Sequence, residues 1–167
     1  MTPVEKQCRS TIHLTPPHVL EAIRGYFGGA IPLDPATQPD NPTGASRFFT
    51  EADNGLKREW SAGVFVNPPY GKQFPAWIRK IAEEAARGVE ILALLPGSKR
   101  TETEYWPVLY GERLKAVCFV RGRLSFLTAE GEVQKGNTQD SALYGLNIDV
   151  ARFGTAFSTL GGCFELA

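Results

Sequence analysis

The sequence has no long apolar run, and this excludes a membrane-spanning helix. The longest one, Ile91 to Pro96, is far shorter than the roughly 18 residues that such a helix needs. The first ten residues mix charged and polar side chains and lack the apolar stretch of a secretory signal. We therefore expect an intracellular protein.

Cysteine is scarce and neither sign of charge dominates. Cys8, Cys118 and Cys163 lie far apart and have no His partners at zinc-site spacing, so we expect free thiols and no metal. Eighteen Lys and Arg balance eighteen Asp and Glu, so contact with nucleic acid requires a local patch. The motifs GxGxxG and GxxxxGK[ST] are also absent, which leaves dinucleotide and P-loop chemistry without support.

The 167 residues allow one ordinary domain, 1–167, with no separate target-recognition domain. Periodicity and breakers predict helices at 16–27, 74–87 and 102–109, the first with Thr15 as N-cap. Predicted strands lie at 31–34, 64–66, 89–95, 116–120, 124–127, 142–148 and 163–166, with the last third of the chain as a meander. This order predicts an α/β fold, an open sheet with a parallel centre and an antiparallel C-terminal edge.

The most informative segment is Asn67-Pro68-Pro69-Tyr70, which directly follows a predicted strand. The amide oxygen of Asn67 and the carbonyl of Pro68 are two acceptors that can bind the hydrogens of one exocyclic amino group. The Tyr70 ring can stack on a planar base. Such a site suits methyl transfer to nitrogen, in which the protein supplies orientation and the cofactor supplies the reactive methyl group. A polyproline turn that closes the strand is the structural alternative.

Two acidic residues are candidates for cofactor contacts. Asp34 ends a predicted strand before an irregular loop, where a carboxylate can reach the ammonium or ribose hydroxyls of a nucleoside cofactor. An Asp-Pro turn explains Asp34 as well. Asp53 precedes Asn54-Gly55 in a turn and is suited to accept from an adenine amino group, although an Asx turn is nearly as good an explanation.

These residues together resemble the phage-type DNA adenine-N6 methyltransferases. The resemblance extends from about Thr15 to about Tyr144. Asn-Pro-Pro-Tyr alone is shared with other amino-group methyltransferases, so the combination carries the specificity. The matching segments are Thr15-Pro16, Leu33-Asp34-Pro35-Ala36-Thr37, Asp53-Asn54-Gly55-Leu56, Val66-Asn67-Pro68-Pro69-Tyr70-Gly71, Leu94-Leu95-Pro96 and Arg121-Gly122-Arg123-Leu124-Ser125-Phe126.

The resemblance implies a Rossmann-like methyltransferase sheet, S-adenosylmethionine as methyl donor, and an adenine flipped out of DNA, in the cytoplasm of a bacterial host cell if a phage encodes the protein. It implies that Asn67 and Pro68 hold N6 within the catalytic motif Asn67, Pro68, Pro69 and Tyr70, and that Tyr70 stacks on adenine. The implied cofactor residues are Asp34, Pro35, Ala36 and Thr37 at the methionine and ribose end, Asp53, Gly55 and Leu56 at the adenine end, and Thr15 and Pro16 at the outer wall.

The candidate DNA contacts are basic residues near this site. Between residues 95 and 125, six cationic side chains stand against three acidic ones, and Arg113 and Lys115 belong to that surplus. Phosphate contacts from such a patch would weaken with salt. The predicted DNA-binding residues are Lys72, Lys99, Arg100, Arg121 and Arg123.

Two alternative functions remain open from the sequence. In the first, the fold and donor stay the same and the acceptor is RNA adenine or a protein glutamine amide. In the second, the chain is a non-catalytic relative that binds DNA or another partner. Binding of S-adenosylmethionine and the identity of the methylated acceptor distinguish the three functions.

Overall fold

The computed structural model describes residues 12–61, 63–99 and 103–166. Cys8 and Arg100 therefore lie outside the described residues. The described helices are α1 (Pro17–Tyr26), α2 (Phe74–Ala86), α3 (Trp106–Leu109) and α4 (Val150–Phe157). None of them is both long and apolar enough to cross a membrane. The described strands are β1 (Leu33–Asp34), β2 (Arg47–Phe48), β3 (Val64–Val66), β4 (Ile91–Pro96), β5 (Leu114–Val120), β6 (Ser141–Leu146) and β7 (Gly161–Glu165).

The described strands form one sheet in the order β2-β1-β3-β4-β6-β5-β7. Strands β2, β1, β3 and β4 are parallel neighbours. Strand β6 lies antiparallel between β4 and β5, and β7 runs antiparallel to β5 at the edge. The parallel centre and antiparallel C-terminal edge are confirmed, and the arrangement is consistent with a Rossmann-like fold.

The central strands are buried on both faces, as their apolar sequences predict. Val64 and Val66 pack on the face covered by α2, whereas Phe65 packs on the opposite face with α1 and α4. All three side chains have 0% exposure. This packing fixes the carboxyl end of β3, and with it the position of the Asn67 turn.

Several local predictions are confirmed and others are wrong. Helix α2 matches its predicted range closely because its apolar stripe is regular and Gly88, at φ 92°, follows its end. Thr15 is not the cap of α1, since Pro16 occupies the N-cap position and makes no side-chain capping bond. The helix predicted at 102–109 is a 3-10 turn, Thr103–Tyr105, followed by the short α3.

The C-terminal third differs most from the prediction. Residues 124–127 do not form a strand: Leu124 and Phe126 are buried, but the backbone of Leu127 makes only isolated bridges. Helix α4, which separates β6 from β7, was not predicted. The segment is therefore not a simple meander. The chain passes from β6 through α4 to β7, and β7 pairs with β5 rather than with β6.

The two described cysteines are free thiols, as predicted. Cys118 is buried in β5 and Cys163 is half-buried in β7, where the two are register partners across the strand pair.

Candidate active site

The Asn67 turn starts directly after β3, at the carboxyl edge of the parallel strands. Pro68 is buried, Pro69 is exposed, and Tyr70 is partly buried. Neither proline has an N–H to continue the ladder with β4, so the strand ends here. Gly71 has φ 135°, a conformation that favours glycine and turns the chain towards α2.

Among the described residues, only the nitrogen of the Asn67 amide makes hydrogen bonds. Its Nδ2 donates to the carbonyl oxygen of His13 at 2.8 Å and to Thr15 Oγ1 at 3.0 Å. Its Oδ1 is buried and has no hydrogen-bond partner among the described residues. A buried acceptor without a partner costs about 1–3 kcal/mol, so it marks a place where a donor from outside the chain can bind.

Aromatic rings surround the Asn67 turn. The Tyr70 ring lies 4.9 Å from the His13 ring and 5.6 Å from the Phe74 ring, centroid to centroid. The His13 ring also lies 5.8 Å from Phe126. Burial raises the pKa of the Tyr70 phenol to about 12, so its hydroxyl stays protonated near neutral pH.

His13 is the residue that sequence reasoning missed. It lies 54 residues from Asn67 in the chain, yet its carbonyl orients the Asn67 amide and its ring contacts Tyr70. Its Nδ1 is 2.6 Å from Oε1 of Gln134, so the loop after β5 fixes the imidazole. No sequence signal links His13 to this site except its closeness to Thr15. His18, by contrast, is exposed on α1.

A cavity joins the Asn67 turn to the loop after β1. Five of the proposed site residues line it: Thr15, Asp34, Ala36, Thr37 and Asn67. His13, Leu14, Leu20, Pro42, Thr43 and Phe65 complete its wall. The structure thus brings the Asn67 turn, the Asp34 loop and the Thr15 segment together around one space.

Asp34 is a buried carboxylate in the wall of this cavity, with 2% exposure. It accepts hydrogen bonds from the backbone amide of Ala36 at 3.0 Å and from the hydroxyl of Thr43 at 2.8 Å. Burial nevertheless dominates and raises the pKa of Asp34 to about 6. Asp34 therefore shapes its own loop and also offers the cavity a carboxylate that a cationic ligand would stabilise.

The Asp53 turn lies behind the cavity rather than in its wall. Asp53 Oδ2 accepts from the backbone amide and the hydroxyl of Thr50, each at 2.9 Å, and these bonds lower the pKa of Asp53. Gly55 is buried against Pro35, so closely that a Cβ on Gly55 would lie 2.0 Å from the Pro35 carbonyl oxygen. Leu56 packs against the core. Asp53, Gly55, Leu56, Pro35 and Pro16 are not among the residues that line the cavity.

The predicted DNA contacts fall at the same edge of the sheet where the structure describes them. Lys72 is exposed directly after the Asn67 turn, and Arg121 and Arg123 are exposed directly after the carboxyl end of β5. Lys99 lies in the 3-10 turn Gly97–Lys99 after β4.

The surplus of positive charge between residues 95 and 125 does not form one patch, however. Arg113 precedes β5 and Lys115 lies near its start. They are separated from Arg121 by most of a seven-residue strand, roughly 20 Å at about 3.3 Å per residue. This separation divides the surplus between the two edges of the sheet.

A family model for DNA N-6-adenine-methyltransferase (Dam) matches residues 4–148. The chain belongs to this family. The matched range includes the Thr15 segment, the loop after β1, the Asn67 turn and strands β1 to β6. No curated protein matches the chain in sequence. Membership in the Dam family identifies the chain as a DNA adenine methyltransferase and DNA as its substrate.

Proposed function

We propose that the chain transfers a methyl group from S-adenosylmethionine to N6 of an adenine that is flipped out of DNA. The observation that carries this proposal is the buried Oδ1 of Asn67, which has no hydrogen-bond partner among the described residues. An amino group supplies the donor that this oxygen lacks, and the neighbouring Pro68 carbonyl can accept the second N6 hydrogen.

The residues that line the cavity beside Asn67 support this choice of cofactor. S-adenosylmethionine would supply an electrophilic methyl group on a sulfonium, together with an ammonium group. Asp34 is a buried carboxylate in the cavity wall, and a cation placed there would offset the cost of its ionisation. Ala36 and Thr37 would form the rest of the cofactor wall, with Gly55 holding their loop from behind.

The chain contributes orientation rather than covalent chemistry. Asn67 and Pro68 hold the amino group so that its nitrogen lone pair faces the methyl carbon. S-adenosylmethionine, when bound, would supply the methyl group: the C–S bond would break with its electron pair left on sulfur as the N–C bond forms, and the amino nitrogen would then release one proton to solvent. Tyr70 would stack on the adenine ring. Flipping is required because N6 in a stacked base pair cannot enter such a turn.

The proposal is tested by incubating the protein with methyl-labelled S-adenosylmethionine and unmethylated duplex DNA, followed by digestion to nucleosides and chromatography. We expect label in N6-methyldeoxyadenosine. Parallel incubations with RNA and with a protein extract distinguish the acceptor classes. Label in RNA or protein but not in DNA would show that the proposed acceptor is wrong, and failure to bind the donor would favour a non-catalytic relative.

The variant Asn67→Ala tests the assigned role of the amide. We expect at least a 100-fold loss of methyl transfer, about the size seen when one transition-state hydrogen bond is removed, with folding and donor binding retained. Gln73→Ala is the matched control because it removes an exposed amide that makes no capping bond at the start of α2. Equal activities for the two variants would contradict the role of Asn67.

A further inference from the structure

The orientation of the Asn67 amide is decided by the segment that precedes α1. The carbonyl of His13 can only accept a hydrogen bond, so the side of the amide that faces it must be the nitrogen. The second Nδ2 hydrogen is directed at Thr15 Oγ1. Both amide hydrogens are thereby used, and the oxygen is turned away from these two partners.

We propose that Thr15 is a positioning residue that, with the His13 carbonyl, holds the Asn67 amide so that only its oxygen faces the methyl acceptor. An amide free to rotate would present its NH2 group to the incoming amino group, donor against donor. The fixed orientation therefore selects an amino group over a keto group. This inference rests on the proposed function for its catalytic consequence but not for the orientation of the amide.

Thr15 is suited to this role because water cannot replace its hydroxyl easily. Its exposure is only 5%, and it lies in the wall of the cavity beside Asn67. Removing the hydroxyl leaves one buried amide hydrogen without an acceptor, which costs about as much as a lost buried hydrogen bond. The remaining bond to His13 would then have to hold the amide alone.

The Thr15 segment is itself fixed by the loop after β5. Leu14 donates to the carbonyl of Leu127 at 2.9 Å and accepts from the Leu127 amide at 3.0 Å. Gln134 contacts the His13 ring through Oε1. The backbone pairing between Leu14 and Leu127 therefore holds in place the segment that contacts Asn67.

The first test is kinetic and uses Thr15→Val, Thr15→Ser and wild type. We expect kcat for methyl transfer to fall about tenfold in Thr15→Val, the equivalent of one hydrogen bond, while the KM and the Kd for S-adenosylmethionine stay within about twofold. Thr15→Ser keeps the hydroxyl and should recover most of kcat. Thr155→Val is the matched control, since Thr155 is exposed on α4 and its hydroxyl donates only to the nearby Ala151 carbonyl among the described residues.

A change confined to cofactor KM or Kd would overturn the proposal and make Thr15 a cofactor contact. Failure of Thr15→Ser to recover kcat would overturn it too. If valine disturbs the packing, Thr15→Ala removes the hydroxyl without adding a methyl group to the cavity wall and replaces it in the comparison.

The second test needs no catalytic activity. The side-chain NH2 signals of Asn67, assigned in nitrogen-15 NMR spectra by their loss in Asn67→Ala, should exchange slowly with solvent in wild type. We expect exchange at least about tenfold faster in Thr15→Val and near wild type in Thr15→Ser and Thr155→Val. Unchanged exchange in Thr15→Val would overturn the proposed contact. If wild type methylates no DNA, the proposed function fails, and this measurement still decides whether Thr15 holds the amide.

Discussion

At the scale of single residues, burial of the Asp34 carboxylate has an electrostatic cost. Its carboxylate is almost fully removed from water, and the hydrogen bonds from Ala36 and Thr43 do not compensate for that burial. A structural Asp-Pro turn could be built with an asparagine at lower electrostatic cost, because asparagine offers the same oxygen to Ala36 and can donate to the Thr43 hydroxyl. A buried charge in a cavity wall instead suits a cationic ligand.

This cost should appear in the pH dependence of stability without ligand. The pKa of Asp34 is about 6 in the folded state against a usual 3.8, so between these values the folded state binds a proton that the unfolded state lacks. The free energy of unfolding therefore falls as pH rises through this interval, by up to about 3 kcal/mol. We expect the free energy of unfolding of wild type, minus that of Asp34→Asn, to fall by about 2 kcal/mol from pH 4 to 7.

Urea unfolding at several pH values measures this difference. Asp40→Asn removes an exposed carboxylate from the same loop and controls for the change in net charge. Parallel stability curves for wild type and Asp34→Asn would contradict a raised pKa for Asp34.

At the same scale, the sequence predicts an acceptor role for Asn67 but does not predict how its amide is held. An amide followed by two prolines is readable from the sequence because neither proline can donate. The contact from His13 is not readable, since it joins residues 54 positions apart and uses a backbone carbonyl. Local spacing predicts that Thr15 caps α1, whereas its hydroxyl accepts a hydrogen bond from the Asn67 amide.

At the scale of elements, the loops after β1 and β2 depend on each other. The turn at Gly55 backs onto Pro35, and the Trp60 indole donates to the Gly55 carbonyl at 3.0 Å. The loop from Asp34 to Thr37 can therefore keep its shape only if the Gly55 backbone stays close. Through this contact, the Asp53 turn supports the loop that lines the cavity.

We expect Gly55→Ala to destabilise the fold and weaken donor binding. The added Cβ would lie 2.0 Å from the Pro35 carbonyl oxygen and 3.1 Å from the Trp77 ring, so the two loops must separate. Overpacking of this kind costs about 1–3 kcal/mol. Chemical unfolding and calorimetric titration with S-adenosylmethionine measure the two effects.

Gly154→Ala is the matched control for that change. Nothing lies within 4 Å of its added Cβ, and the position is inside α4, where alanine favours the helix by roughly 0.5–1 kcal/mol. A Gly55→Ala variant as stable as Gly154→Ala would show that the two loops do not rely on their close contact.

Sequence patterns predicted some elements well and failed where tertiary pairing decides. Helix α2 and strand β3 follow from strong local periodicity. Helix α4 had a readable signal as well, since Asp149 caps it by accepting from the Arg152 amide and Phe153 and Phe157 lie one turn apart. The segment at 124–127 looked like a strand because Leu124 and Phe126 alternate, but its backbone pairs only at isolated bridges.

At the scale of the whole molecule, the parallel strands direct the site and the basic residues to one edge. Strands β3, β4 and β5 run in the same direction, so the Asn67 turn, Lys99 and Arg121 all follow carboxyl ends. Arg113 and Lys115 lie at the opposite edge of the sheet, where β5 begins. Counting charges along the sequence could not separate these groups because both fall within one short stretch.

We expect the double variant Arg121→Ala/Arg123→Ala to bind duplex DNA less tightly and with a weaker salt dependence. Each lost phosphate contact should reduce the slope of log affinity against log salt by about 0.9, so the double variant should lose roughly 1–2 in slope. Affinity measured by fluorescence anisotropy across a salt series gives this slope. Arg113→Ala/Lys115→Ala removes the same charge from the opposite edge and should leave the slope near wild type. Equal slopes for the two double variants would mean that DNA responds to net charge rather than to the edge that carries the Asn67 turn.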